Sequence, residues 1–215
     1  MPSSSGDLDA VMVDAFGTLV GLRGPVERLS AALAERGAPR EREAVARAFA
    51  AEAAYYTAHS YKGRDARTLA SLRRDCAEIF LADLRADLDP GDFAPALVAS
   101  LEFSLLPGTE DALDVLRSAG LALACVANWD FTLPSHLARL GVSDRFHAIV
   151  TSAEAGVQKP DPVIFRLALA RIGVSPGRAL HVGDSESDRE GARRAALAFE
   201  PAPLATLPKR LGLEQ

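Results

Sequence analysis

The apolar run Val11-Met12-Val13 ends in Asp14 and is followed by Gly17. A run of this kind reads as a buried strand, and the glycine just beyond it marks a sharp turn. Asp14 would then stand at the carboxyl end of a strand, where ligands bind in open parallel α/β sheets. A carboxylate there would face a bound ligand; in the plainer alternative it caps the turn. A second apolar run delivers His181-Val182-Gly183-Asp184, with Asp188 four positions further at the entry to a helix. Clustered carboxylates repel one another, and a hard cation such as Mg²⁺ is their natural compensation. Alternatively, Asp184 and Ser185 only cap the following helix. Lys159, in Gln158-Lys159-Pro160-Asp161-Pro162, precedes a proline and so disfavours a regular helix. Its ammonium could reach a carboxylate or a transferring anion, or it could be one more solvated lysine. Asn128, in Ala127-Asn128-Trp129-Asp130, could bind an anion or the nucleophile loop, or with Asp130 simply shape a loop.

The elements around these residues follow two grammars. Residues 21–104 contain no convincing strand and several amphipathic patterns, predicting helices over 25–36, 41–59, 65–86 and 92–103. From Leu106-Pro107-Gly108 onward, apolar runs alternate with helices: helix 109–118, strand 121–127, helix 133–140, strand 148–152, helix 162–172, strand 179–182 and helix 187–195. That alternation implies a parallel sheet. The expected architecture is an α/β, Rossmann-like core over 1–20 and 105–215, with residues 21–104 inserted as an α-helical cap. The tail from Phe199, with Pro201, Pro203 and Pro208, is expected to lie on the surface without a long regular element.

The 215 residues suffice for such a core and insertion, and a net charge of −5 argues against broad nucleic-acid binding. No apolar stretch approaches the roughly 20 residues that span a bilayer, and Met1 to Asp7 lack a basic-then-apolar leader. A cytoplasmic monomer or homodimer with no membrane partner is expected. Cys76 and Cys125 have no metal-ligand spacing and read as buried thiols.

Taken in order, Asp14…Gly17-Thr18-Leu19, Leu106-Pro107-Gly108, the Asn128 strand end, Lys159-Pro160-Asp161-Pro162 and Gly183-Asp184…Asp188…Gly191-Ala192 resemble the motifs of the haloacid dehalogenase-like hydrolases. The insertion after the first motif looks like the helical cap of the subgroup that includes L-2-haloacid dehalogenases and phosphoglycolate-phosphatase-like enzymes. The resemblance implies that Asp14 is the nucleophile, that Thr18 orients it, that Lys159 steadies negative charge, and that Asn128 and Asp188 belong to the catalytic set. It further implies Mg²⁺ held by Asp14, the main-chain carbonyl of Phe16 and Asp184, and a small anionic, phosphorylated substrate.

Two positions depart from the family's phosphatases. Phe16 stands where they carry a second Asp that moves protons, and Ala127 stands where a Ser or Thr precedes the Asn-like position. General acid–base catalysis contributes about 10²–10⁴-fold, so a phosphatase built on Asp14 should favour good leaving groups or borrow a proton carrier. His59, among Tyr55, Tyr56 and Tyr61, is a candidate carrier from the cap, or else incidental to an aromatic cap core. Arg64, Arg67, Arg73 and Arg74 could attract an anion or form a solvated face.

Dehalogenases carry an aromatic at the position of Phe16, and halide departs without a proton. Their early-cap Arg, however, has no match in Ala48-Phe49-Ala50-Ala51, and the Tyr expected after the Lys is Phe165. A phosphatase is therefore the first expectation, a 2-haloacid dehalogenase the second, and a weakened, ligand-binding member the third.

Overall fold

The computed structural model describes residues 8–213; the Ser-rich start and the last two residues lie outside it. The chain forms two compact units, one made of the residues up to Gly21 with those from Ser104, the other spanning Leu22–Phe103.

The first unit is built on β1 (Ala10–Val13), β4 (Ala122–Ala127), β5 (Ala148–Thr151), β6 (Ala179–Gly183) and β7 (Ala198–Pro201). They form one sheet in the order β5-β4-β1-β6-β7, and every pairing is parallel. All four β1 residues are buried, as expected of a central strand covered on both faces. Between the strands run α5 (Thr109–Ser118), α6 (Leu133–Arg139), α7 (Ser152–Ala155), α8 (Pro162–Ile172) and α9 (Glu186–Arg194). On one face of the sheet, Met12, Ala124, Val126 and Val150 pack with Ile164, Phe165 and Leu169 of α8 and Ala192 of α9. Close packing here depends on Gly191: a Cβ at that position would come within 2.5 Å of the Phe165 ring.

Register places the site. Val13 of β1 lies beside Cys125 of β4 and Val182 of β6, so Asp14, Asn128 and Asp184 all emerge at one edge of the sheet. The chain visits β4 and β5 on one side of β1 and then crosses to β6 and β7 on the other. That reversal opens a crevice at the carboxyl end of β1, where such folds bind ligands.

The second unit packs α1 (Pro25–Glu35), α2 (Arg42–His59), α3 (Ala66–Leu84) and α4 (Pro90–Ser100) around Leu29, Leu33, Val45, Phe80, Leu81, Phe93 and Leu97. The Phe80 and Phe93 rings stack with centroids 5.7 Å apart. Asp65 caps α3 by accepting from the Thr68 amide at 2.8 Å, and Asp89 caps α4 by accepting from the Asp92 amide at 3.0 Å.

Three sequence expectations need correction. The helix expected over 92–103 ends at Ser100, whose hydroxyl turns back to the Ala96 carbonyl at 2.8 Å, and the chain continues as strand β3 (Phe103–Leu105). A further strand, β2 (Val20–Leu22), pairs with β3, so the region expected to hold no strand is bounded by two. The tail is not simply superficial: β7 extends the sheet, and Leu204 and Leu207 are buried, the latter in α10 (Leu207–Arg210). Pro201 is tolerated because β7 is an edge strand with no neighbour beyond it among the described residues.

Within α2, Glu52 is buried, hydrogen-bonded to Cys76, and pushed up to about 7 by burial. Its folded pKa thus lies above its ordinary 4.5, so the stabilisation is complete below about 4.5 and is lost as pH rises through about 7. The denaturant midpoint of the wild type should fall more between pH 5 and pH 8 than that of Glu52→Gln. Equal falls would mean that Glu52 ionises like an exposed glutamate.

Candidate active site

Asp14, at the end of β1, is buried. Its backbone amide continues the ladder by donating to the Val182 carbonyl at 2.9 Å. Gly17 has φ +82°, and a Cβ there would fall 2.0 Å from Oδ2 of Asp184. The turn after β1 therefore needs glycine twice over, for its backbone conformation and because the chain passes directly against the Asp184 carboxylate. Gly183 is similarly constrained, since its Cβ would lie 2.4 Å from Cγ of Asp188. Ligand oxygens of Asp14, Asp184 and Asp188 all fall within 4.8 Å of one another.

Lys159 enters this cluster from the loop before α8, almost fully buried. Its Nζ donates to Oδ1 of Asp14 and, at 2.5 Å, to Oδ1 of Asp188. Asn128 fixes the lysine from behind: its Oδ1 accepts from the Lys159 amide at 2.7 Å and its Nδ2 donates to the Lys159 carbonyl at 3.2 Å. Asp161 then caps α8 by accepting from the Val163 amide at 2.9 Å, with Pro162 in the first turn. The segment Lys159-Pro160-Asp161-Pro162 is thus a shaped loop that leads straight into a capped helix.

Asp188 is the most heavily held of the three carboxylates. It accepts from Lys159, from Nε2 of His181 at 2.8 Å, and from the amide and hydroxyl of Ser185. Burial alone would raise its pKa, but the His181 hydrogen bond and the Lys159 charge hold it well below the usual carboxylate range. Asp14 has only Lys159 to offset burial and the nearby Asp188 and Asp184, and is pushed up to about 7. One ammonium cannot neutralise both carboxylates, and Asp188 has the additional donors. Lys159 is held above its ordinary value, burial being outweighed by Asp14 and Asp188. Burial keeps His181 neutral, so its Nε2–H is the donor to Asp188. Asp184 is the exposed member of the cluster, raised by partial burial and by Asp188.

The structure therefore brings Asp14, Lys159, Asp184 and Asp188 together, with Asn128 against the Lys159 backbone rather than on the nucleophile loop. Thr18 is buried, yet its hydroxyl has no hydrogen-bond partner, so it does not hold Asp14 here. Phe16 is 49% exposed. Ala127 is buried at the end of β4 and offers no hydroxyl. Ser185, by contrast, does cap α9 in a capping box with Asp188, as the plainer sequence reading had it. Asp130 serves its own loop, accepting from the Thr132 amide at 2.8 Å. His59 stacks on Tyr55 and donates through Nδ1 to the Tyr55 carbonyl at 2.8 Å, within its own helix. Both cysteines are buried, and neither forms a disulfide among the described residues. Sequence reasoning assigned no part to His181; the available signal was a histidine inside an apolar strand seven residues before an aspartate.

A family model described as haloacid dehalogenase-like hydrolase matches residues 8–196. The chain belongs to the haloacid dehalogenase-like hydrolases. Among related proteins, the glyceraldehyde 3-phosphate phosphatase of Methanopyrus kandleri is 36% identical over 132 residues, covering 56% of this chain and 54% of that one. The chain spans about a third to about half of the length of the curated relatives it matches. Its fold is that of the HAD-hydrolase YfnB from Bacillus subtilis bound to magnesium, at TM-score 0.78 and 18% identity over 95% of this chain and 99% of that one. It is also similar to the L-2-haloacid dehalogenase of Xanthobacter autotrophicus, at TM-score 0.69 and 24% identity over 95% and 83%. No helix among the described residues is long and apolar enough to cross a membrane.

The haloacid dehalogenase-like site rests on Lys159, and removing its charge should be costly. In Lys159→Met, without divalent metal, two buried carboxylates lose their counter-charge, and stability should fall by about 3–5 kcal/mol. Adding Asp14→Asn should recover part of that loss. Urea midpoints of the two single variants and the double variant measure the coupling; additive losses would mean that Asp14 and Lys159 do not act on each other.

Proposed function

We propose that the chain is a phosphatase acting on a small phosphorylated metabolite, with Asp14 as nucleophile. The observation that carries this reading is a buried carboxylate at the end of the central strand, contacted by a buried lysine and flanked by two further carboxylates within metal-binding reach. In the proposed reaction, a carboxylate oxygen of Asp14 attacks phosphorus, and the ester oxygen departs with the bonding electrons. Water then attacks the phospho-aspartate at phosphorus. The bond to Asp14 breaks, returning the carboxylate and releasing phosphate and a proton.

Each neighbour has a part in that sequence. Lys159 reduces the negative potential that an approaching phosphate meets, and Asn128 and Asp188 hold Lys159 in place. The unpartnered Thr18 hydroxyl is available to donate to a phosphoryl oxygen. The 22–103 unit would serve as the helical cap.

The donor set also fits a divalent cation. Three carboxylates face one ammonium beside a neutral imidazole, and the excess of about two negative charges is what Mg²⁺ would balance. Asp14, Asp184 and the main-chain carbonyl of Phe16 are the proposed ligands; the last is unaffected by the side chain at position 16. Bound there, Mg²⁺ supplies Lewis-acid stabilisation of charge on phosphoryl oxygens.

Haloacid dehalogenation is the second reading, favoured by the aromatic Phe16 beside the nucleophile. The packing of Phe165 weighs against it: where dehalogenases have a site tyrosine, this ring is fully buried against Gly191 and edge-on to His181, with centroids 4.9 Å apart.

Phosphate and halide release should be assayed side by side, with Mg²⁺ and with a chelator. Metal-dependent phosphate release that disappears in Asp14→Asn is the expected result. Chelator-resistant halide release would install the dehalogenase reading. No turnover of phosphate esters, acyl phosphates or haloacids would make the protein a binder.

A further inference from the structure

Among the described residues, three large apolar side chains are exposed: Phe16 at 49%, Phe131 at 41% and Val163 at 44%. All three lie in the first unit. Phe16 is two residues past Asp14, Phe131 three past Asn128, and Val163 four past Lys159. Phe16 and Phe131 lie in the segments that follow β1 and β4, which are neighbours in the sheet, whereas Val163 lies in the first turn of α8. Single exposed apolar residues need no explanation, but two exposed rings on the segments that leave adjacent strand ends, next to Asp14 and Asn128 in the chain, offer an apolar face beside a charged site.

We propose that this rim selects aryl phosphate monoesters, the aromatic leaving group lying against Phe16 and Phe131 while the phosphate meets Asp14 and Lys159. The proposal rests on the phosphatase reading and deepens it.

A second observation points to the same class. Position 16 holds a ring where the phosphatases that the chain resembles carry a proton-donating carboxylate. Asp188 is engaged by Lys159, His181 and Ser185, His181 is buried against it, and Asp184 is one of the proposed metal ligands. The leaving oxygen must therefore depart as an anion and take its proton from solvent. A phenol ionises at about 10, as tyrosine does. An aliphatic alcohol is about as weak an acid as water, near 16. The same side chain that denies the leaving group a proton thus supplies an aromatic face for a leaving group that does not need one.

Phenyl, benzyl and ethyl phosphate separate the two effects, since phenyl and benzyl share a ring whereas benzyl and ethyl share a poor leaving group. With the wild type, phenyl and benzyl phosphate should show similar KM values, about tenfold below that of ethyl phosphate. In a single turnover, release of phenol should be about 10²-fold faster than release of benzyl alcohol. Phe16→Ala and Phe131→Ala should each raise both aromatic KM values severalfold, and Phe16→Asp should narrow the phenyl-to-benzyl gap in single-turnover rate. Equal KM values for the three esters, or aromatic KM values unmoved in both alanine variants, would overturn the proposal while leaving the phosphatase reading standing. Hydrolysis of none of the esters above the Asp14→Asn background would overturn both.

Discussion

The buried ion cluster of Lys159 with Asp14 and Asp188 is the constraint to which the rest of the first unit answers. Removing such groups from water costs several kcal/mol each, and mutual attraction repays this only when the geometry is tight and the remaining donors and acceptors are engaged. The fold meets those terms piece by piece. Register between β1 and β6 sets Asp14 beside Gly183, glycines at 17 and 183 let Asp184 and Asp188 approach backbone, and Asn128 clamps both polar groups of the Lys159 main chain. His181 and Ser185 then complete Asp188. Of the two buried carboxylates, Asp14 is left with less compensation than Asp188.

Much of this was legible in the sequence because strand ends are. An apolar run that stops at a carboxylate declares both a strand and the edge it reaches, and Asp14 and Asp184 came out at one edge on that reasoning alone. The helical insertion was equally plain from its period. What could not be read were partners that depend on side-chain direction. Asn128 could have faced the nucleophile loop or the lysine loop, and only the fold decides. His181 looked like one more core residue of an apolar strand. The tail was misjudged because its prolines argue against regular structure in general, whereas an edge strand and a short helix tolerate them at Pro201 and Pro208.

Composition also hid the short strands β2 and β3. Each has only three residues, too few for alternation to register, and Phe103–Leu105 begins two residues after a helix whose apolar pattern runs on into it. Ser100 ends that helix by bonding back to Ala96, a local competition between side chain and backbone that periodicity does not encode.

Phe16 separates two things that a motif treats as one. A position in a catalytic loop contributes a main-chain carbonyl, fixed by the turn at Gly17, and a side chain, free to vary. Replacing an aspartate by phenylalanine leaves the first untouched and exchanges the second for an exposed ring. Among the described residues, Asp14, Asp184, Asp188 and Lys159 then carry the charges of the cluster. Losing a carboxylate at position 16 makes the site less repulsive toward an anionic substrate even as it withdraws acid catalysis. The two consequences have opposite signs, association being eased and departure of a basic leaving group being hindered. On the proposed phosphatase reading, such a site would work best when departure is already easy, because the leaving group's own acidity would then stand in for the missing proton donor.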